Sequence, residues 1–257
     1  MEILQMDVGG KFAHFRKYYA NNTALSFSIP PRTTIMGMLA GILGRPKDEY
    51  YQELASERIR IGIRLMKPIK KTFHRLNLLS IKSTKDFRGQ NGHIQTPFEV
   101  VSGLDLRTDE VVYRFYISYN PDGLETYREL KEVLLQRKNK FTLSFGTANF
   151  TASVKSVRIY DDSRIKEIHS GERLIIHSAI PSEAVEELFF DRDSPVNDMQ
   201  YIEEELLPAD FIADRNRELR KMNRLVFSTT GHGIEVRLSY PYFEITDTDV
   251  QHIMFME

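Results

Sequence analysis

Polar and apolar positions alternate along several stretches of the chain, and two different periods divide it into strands and helices. Leu4, Met6 and Val8 share one side of an extended segment over residues 2–8. The apolar residues at 35, 38, 39 and 42 recur at helical spacing and form one stripe, which Gly44 and Pro46 end. Ile59, Ile61, Ile63 and Leu65 alternate with Arg60, Gly62 and Arg64, predicting a strand with a core face and a cationic face. Val111, Tyr113, Phe115, Ile117 and Tyr119 mark another strand. Pro121-Asp122-Gly123 then turns into a second helix, with Asp122 and Glu125 as a capping-box pair and Leu124, Tyr127, Leu130 and Leu134 as its buried stripe. Residues 141–159 return as strand, broken at Gly146.

The resulting order is strand, helix, strand, strand, helix, strand. It predicts an α+β, ferredoxin-like domain over residues 1–160, the topology also used by RNA-recognition domains. The basic-Gly-aromatic signature of those domains is absent around residues 111–119, so the familiar RNA-recognition mode is not expected. About forty residues, 70–110, separate two of the strands and read as a long β-hairpin insertion with a mobile tip at Arg88-Gly89-Gln90-Asn91-Gly92-His93. Residues 161–257 read as a small β-rich C-terminal lobe. Within it, Leu225–Thr229 and Ile234–Leu238 are expected to pair through a Gly231-His232-Gly233 turn.

Charge changes the picture more than composition does. The 257 residues carry a net charge of -1, yet residues 58–88 hold ten basic side chains against Asp86 alone. Residues 183–205 hold nine acids against Arg192. The basic stripe, interleaved with Phe73, His74 and Phe87, suits a polyanion whose unpaired bases stack. Arg215, Arg217, Arg220, Lys221 and Arg224 form a second basic cluster. The acidic stretch, including Glu203-Glu204-Glu205 read as helical, suits a solvated face or a surface for a basic partner. Cysteine is absent, which excludes disulfides, thiolate metal sites and cysteine nucleophiles. No apolar run is long enough for a membrane span, and the first residues lack the order of a secretory leader, so a cytoplasmic location is expected. No motif for a metal, a nucleotide cofactor or a serine nucleophile appears, so none of these is expected.

One segment concentrates candidate chemistry. Pro30-Pro31-Arg32-Thr33-Thr34 opens the glycine-spaced helix, and two prolines fix where it starts. Thr33 or Thr34 can cap its first turn, and the unpaired N–H groups there favour an anion flanked by Arg32, Arg16 and His14.

These residues carry a resemblance. His14-Phe15-Arg16, then Pro30 to Leu39, then Gly41 and Gly44, resemble the N-terminal signature of the Cas5 (Cas-five) family, RAMP-superfamily subunits of type I CRISPR interference complexes, or Cascade. Gln95-Thr96-Pro97-Phe98-Glu99 resembles that family's Gln-x-Pro-Phe-Glu stretch, and Phe145-Gly146-Thr147 its glycine-containing loop. The likeness covers residues 1 to about 160, and the chain length and general pattern are closest to type I-B members.

The resemblance implies a non-catalytic subunit that grips the five-prime handle of the CRISPR RNA (crRNA). It implies docking against the backbone subunit and the large subunit, with the hairpin acting as a thumb. By motif, His14, Phe15, Arg16, Arg32, Thr33 and Thr34 would lie near handle phosphates, and Gly146 would let the backbone approach RNA. Lys70, Lys71, Arg75, His93 and Gln95 would belong to the thumb or its base. The rival reading is a metal-independent endoribonuclease that processes precursor crRNA. None of the seven histidines follows a lysine, so the Lys-His pair associated with that activity is missing, leaving His14 and His74 with Tyr18 or Tyr19 as its candidates.

Overall fold

The computed structural model describes residues 1–20, 23–190, 201–213 and 217–257. The chain begins with β1 (Ile3–Gly10) and three short strands, β2 (Phe12–Ala13), β3 (Phe15–Arg16) and β4 (Ser26–Phe27). Helix α1 (Arg32–Leu43) precedes β5 (Ile59–Leu65), β6 (Ile69–Leu79), β7 (His93–Gly103) and β8 (Val111–Tyr119). Helix α2 (Leu124–Leu135), β9 (Leu143–Ser144) and β10 (Thr151–Tyr160) follow.

One antiparallel sheet, in the order β5-β8-β1-β10-β9, organises these elements. The apolar faces of its strands and both helices share a single core cluster that includes Met6, Ile35, Leu39, Ile61, Phe115 and Leu130. That follows from the alternation: Ile59, Ile61 and Ile63 are fully buried because period-two side chains all reach the same face. Helix α2 buries Tyr127, Leu130 and Leu134 as expected. Its start differs, since a 3₁₀ turn at Pro121–Gly123 leads in and Gly123 is its N-cap without a side-chain cap, so the Asp122–Glu125 capping box does not form. No described helix is long and apolar enough to cross a membrane.

The opposite face of β5 is not the open cationic surface its alternation suggests. The Arg60 guanidinium lies over the rings of Phe255 and Phe243, 4.3 and 5.0 Å from their centroids. A Cβ on Gly62 would meet the Met254 carbonyl at 2.8 Å. C-terminal residues therefore roof this face, and the basic stripe of residues 58–88 is divided between a covered part and the hairpin.

Strands β6 and β7 form that hairpin, in register from Ile69↔Gly103 to Leu79↔His93. Its tip is a built turn: the Asp86 carboxylate accepts from the Lys82 and Ser83 N–H groups at 2.7 and 2.6 Å and from Asn91 Nδ2. These bonds hold the Asp86 carboxyl below its ordinary range.

Beyond β10 the described regular elements are strands, joined by loops and two 3₁₀ turns at Asp162–Arg164 and Ser182–Ala184: β11 (Ile165–Ile168), β12 (Leu174–Ile176), β13 (Ile180–Pro181), β14 (Val185–Leu188), β15 (Ile202–Phe211), β16 (Leu219–Ser228), β17 (Ile234–Leu238), β18 (Tyr242–Thr246) and β19 (Val250–Ile253). The expected pairing around Gly231 does not occur. Strand β16 pairs with β15 and β13, while β17 pairs with β12 and β14, so the turn joins two sheets. Leu207, Leu225, Phe227 and Met256 also enter the main core, which ties this region to the N-terminal elements.

Glu203–Glu205 lie on strand β15 and not on a helix. Alternation sends Glu203 and Glu205 to one side, where Glu205 pairs with Lys17 at 2.5 Å and Glu203 accepts from Ser28 Oγ at 2.5 Å. Their basic and polar partners are thus supplied by this chain. Asp191, Arg192, Asp193, Asp198 and Arg215 lie outside the described residues.

Candidate nucleic-acid interface

Helix α1 supplies the back wall of a cleft of about 600 Å³. Pro31 is the N-cap and its carbonyl accepts from Thr34 and Ile35 N–H at 2.9 and 3.1 Å. No side chain caps the helix, so the capping role expected for Thr33 or Thr34 is not taken; both threonines line the cleft instead. Gly37, Met38 and Gly41 continue the same face, because residues three and four apart stack along a helix. The two glycines leave the helix backbone uncovered there, and a Cβ on Gly37 would meet Tyr50 Oη at 3.3 Å.

The facing wall is built from His14–Arg16, the 142–147 connection and one face of the hairpin at Leu78, Thr96 and Phe98. Arg217 lines the cleft with Tyr50 and Phe211, and its Nε donates to Asp48 Oδ1 at 3.2 Å. Two arginines and several hydroxyls line this space, and its described lining residues include no aspartate or glutamate. The electrostatic result is a site suited to an anion.

His14 is 2% exposed. Its Nδ1–H donates to the Glu99 carbonyl at 2.7 Å and its ring stacks on Phe98 with centroids 3.9 Å apart. Burial lowers its pKa, so the ring is neutral at pH 7 and offers an acceptor at Nε2. Phe15 is a core residue packed edge-on against Tyr113 and Phe145. Arg16 is exposed, with one Nη2 contact to the Ala20 carbonyl at 3.4 Å.

Gly146 sits at φ +89°, where its missing Cβ would lie 1.8 Å from the His14 carbonyl oxygen. Phe145 O accepts from His14 N–H at 3.0 Å in the same contact. The close approach that demands glycine is therefore made by this chain's own backbone, and its effect is to join two segments of the facing wall.

Arg32 lies elsewhere. It is 1% exposed and its guanidinium points away from solvent into a pocket of fixed acceptors. Nη1 donates to Asp210 Oδ1 at 2.7 Å, Nε to Glu257 Oε1 at 2.6 Å, and Nη2 to the Leu54 and Ile59 carbonyls at 2.9 and 2.6 Å. Every nitrogen is spent internally, which corrects its assignment as a phosphate contact. Burial raises the Glu257 pKa against the pull of Arg32.

Of the hairpin residues, Lys71, Arg75, His93 and Gln95 share one face of the ladder and Lys70 the other, and none lines the cleft. Lys70 Nζ donates to the Leu104 carbonyl and Lys71 lies 3.9 Å from Glu203, whereas Arg75, His93 and Gln95 are exposed. Exposed Phe73 and Phe87 accompany them. Of the rival nuclease's candidates, Tyr18, Tyr19 and His74 are exposed outside the cleft lining, and His74 Nε2 meets Thr72 Oγ1 at 3.1 Å. Sequence reasoning missed Tyr50, Phe98 and Phe211 as wall residues. It flagged Arg217 only as one member of a basic cluster, since nothing local says that this residue lines a cleft with α1.

With this fold and cleft in place, comparisons with known proteins assign the class: the family model described as CRISPR-associated protein (Cas_Cas5) matches residues 3–205. The chain belongs to the Cas5 family. A CRISPR protein from Archaeoglobus fulgidus has the same fold, with TM-score 0.56 at 13% identity over 100% of both chains. A chain of a CRISPR RNA-guided surveillance complex aligns with TM-score 0.53 at 10% identity over 91% of each. No curated protein matches.

Proposed function

We propose that the protein is a non-catalytic crRNA-binding subunit of a type I CRISPR interference complex, of subtype I-B, gripping the five-prime handle and docking against the backbone and large subunits. The observation that carries this reading is the cleft: Arg16 and Arg217, the latter held by Asp48 Oδ1 at 3.2 Å, share a space with the hydroxyls of Thr33, Thr34 and Ser144, and no carboxylate is among its described lining residues. Phosphates of a single strand fit that chemistry, since cationic side chains supply the affinity and hydroxyls and exposed helix backbone fix the position. The sheet order β5-β8-β1-β10 with two helices supports a ferredoxin-like reading of residues 1–160. The hairpin, with Phe73, Arg75 and Phe87 exposed, takes the part of a thumb against which unpaired bases stack. Surveillance-complex membership of a protein with this fold agrees with that role.

The reading assigns no cleavage. His14 is the sole histidine of the cleft lining, it is held neutral by burial, and neither a lysine nor a carboxylate lines the wall beside it to complete an acid–base pair. Incubation with repeat-derived RNA in EDTA tests both halves. Tight binding of handle-bearing RNA that is recovered intact supports the proposal. Specific cutting abolished by His14→Ala or His74→Ala establishes the nuclease instead, and equal affinity for handle-bearing and handle-free RNA removes the handle assignment.

A further inference from the structure

Strand β10 has an edge that no described strand covers. One side pairs with β1 from Tyr160 to Ala152, but on the other side β9 reaches only Thr151 and Ala152. Along residues 153–157 the outward backbone groups lack a strand partner among the described residues. A groove of about 470 Å³ runs beside this edge, and six consecutive residues, 152–157, line it. Side chains on a strand alternate between faces, so a groove that meets six in a row faces the edge itself.

Across the groove stand Leu134 and Leu135 at the end of α2, with Arg137 and Lys138 on the rim. Leu135 is 56% exposed, and neither rim cation has an ion pair among the described residues. Lysines and bulges on open edges normally discourage strand addition. Here a bulge at Lys155, opposite the Asp7/Val8 step, is accompanied by a side chain laid over Gly9 and paired with Glu110 at 2.8 Å. That lysine lies across the sheet face and leaves the edge open.

We infer that this edge and groove dock an extended acidic segment of a partner protein, added to the sheet as a strand on β10. Its backbone pairs with the open groups of residues 153–157, an apolar side chain rests on exposed Leu135, and its carboxylates meet Arg137 and Lys138. A second copy of this chain does not suit the site, because two such rims would face each other. RNA would satisfy the rim while leaving the edge amides and the exposed Leu135 unused. The inference stands apart from the handle reading.

The test uses the full chain and two blocked peptides at millimolar concentration, one alternating glutamate with valine and threonine, the other carrying lysine for glutamate. Residue-resolved hydrogen exchange reads the edge directly. The glutamate peptide is expected to slow alternate amides within residues 153–157 by about tenfold or more, and the lysine peptide to leave them unchanged. Arg137→Glu with Lys138→Glu is expected to weaken binding of the glutamate peptide about tenfold with an unchanged melting temperature. Unchanged edge amides with the glutamate peptide at millimolar concentration overturn the inference. So does a uridine oligomer that displaces the peptide, which marks the rim as a polyanion patch.

Discussion

Arg32→Ala separates a structural arginine from an RNA-binding one. The substitution removes the whole guanidinium and leaves the Asp210 and Glu257 carboxylates and the Leu54 and Ile59 carbonyls around an empty, arginine-shaped space. Removing one partner of a buried pair costs roughly 3–5 kcal/mol because the remaining charge is stranded. Asp210 keeps the Ser56 N–H, the Ser56 hydroxyl and Arg220, so most of the penalty falls on Glu257. Glu257, whose pKa burial already raises, escapes by taking up a proton. The folded variant then binds more protons than its unfolded chain, so its stability falls as pH rises through the folded pKa of Glu257. The expected loss is about 3 kcal/mol at pH 7.5, and less at pH 5. At roughly 2–4 °C per kcal/mol, the melting temperature drops by about 10 °C. Urea unfolding followed by circular dichroism at both pH values measures it. A loss below about 1 kcal/mol, together with weakened RNA binding, would refute the structural role.

Gly146→Ala places a methyl 1.8 Å from the His14 carbonyl at a φ of +89°, so the two segments of the facing wall must separate; a loss of at least about 2 kcal/mol in urea and weaker RNA binding are expected together. His177, whose pKa burial lowers to about 4, contributes stability that is complete above the unfolded value near 6.5 and lost as pH falls toward 4. In His177→Asn the acid-side loss between those values is expected to shrink by roughly 2 kcal/mol after allowance for partial exposure, read from urea midpoints across that range. Lys17→Ala strands the half-buried Glu205 carboxylate and is expected to cost about 1 kcal/mol, with Lys17→Arg restoring most of it in the same assay.

The strands were legible because each carries its own record of burial. Ile59, Ile61, Ile63 and Leu65 had to face one core whatever covered the other side, and the same holds for Tyr113, Phe115 and Ile117. The roof over Arg60 and Gly62 was not legible, since residues 243–255 that form it lie far along the chain and cation–ring contacts leave no periodic trace. Arg32 misled for a related reason. A charged residue after two prolines reads as surface, and only the distant Asp210 and Glu257 make its burial tolerable. The cleft was half legible: Arg16, Thr33, Thr34 and Gly146 announced themselves locally, whereas Arg217 reached the same space through tertiary contact.

The central claim is that the cleft binds handle phosphates through Arg16 and Arg217. The affinity for single-stranded handle RNA measured from low to moderate salt tests it most directly. Arg16→Gln and Arg217→Gln are each expected to reduce the slope of log affinity against log salt by about 0.7, with about twice that in the double variant. Arg128→Gln, an exposed position on α2 outside the cleft lining, is expected to leave it unchanged. Slopes that stay equal to the wild type in the Arg16 and Arg217 variants would contradict the account.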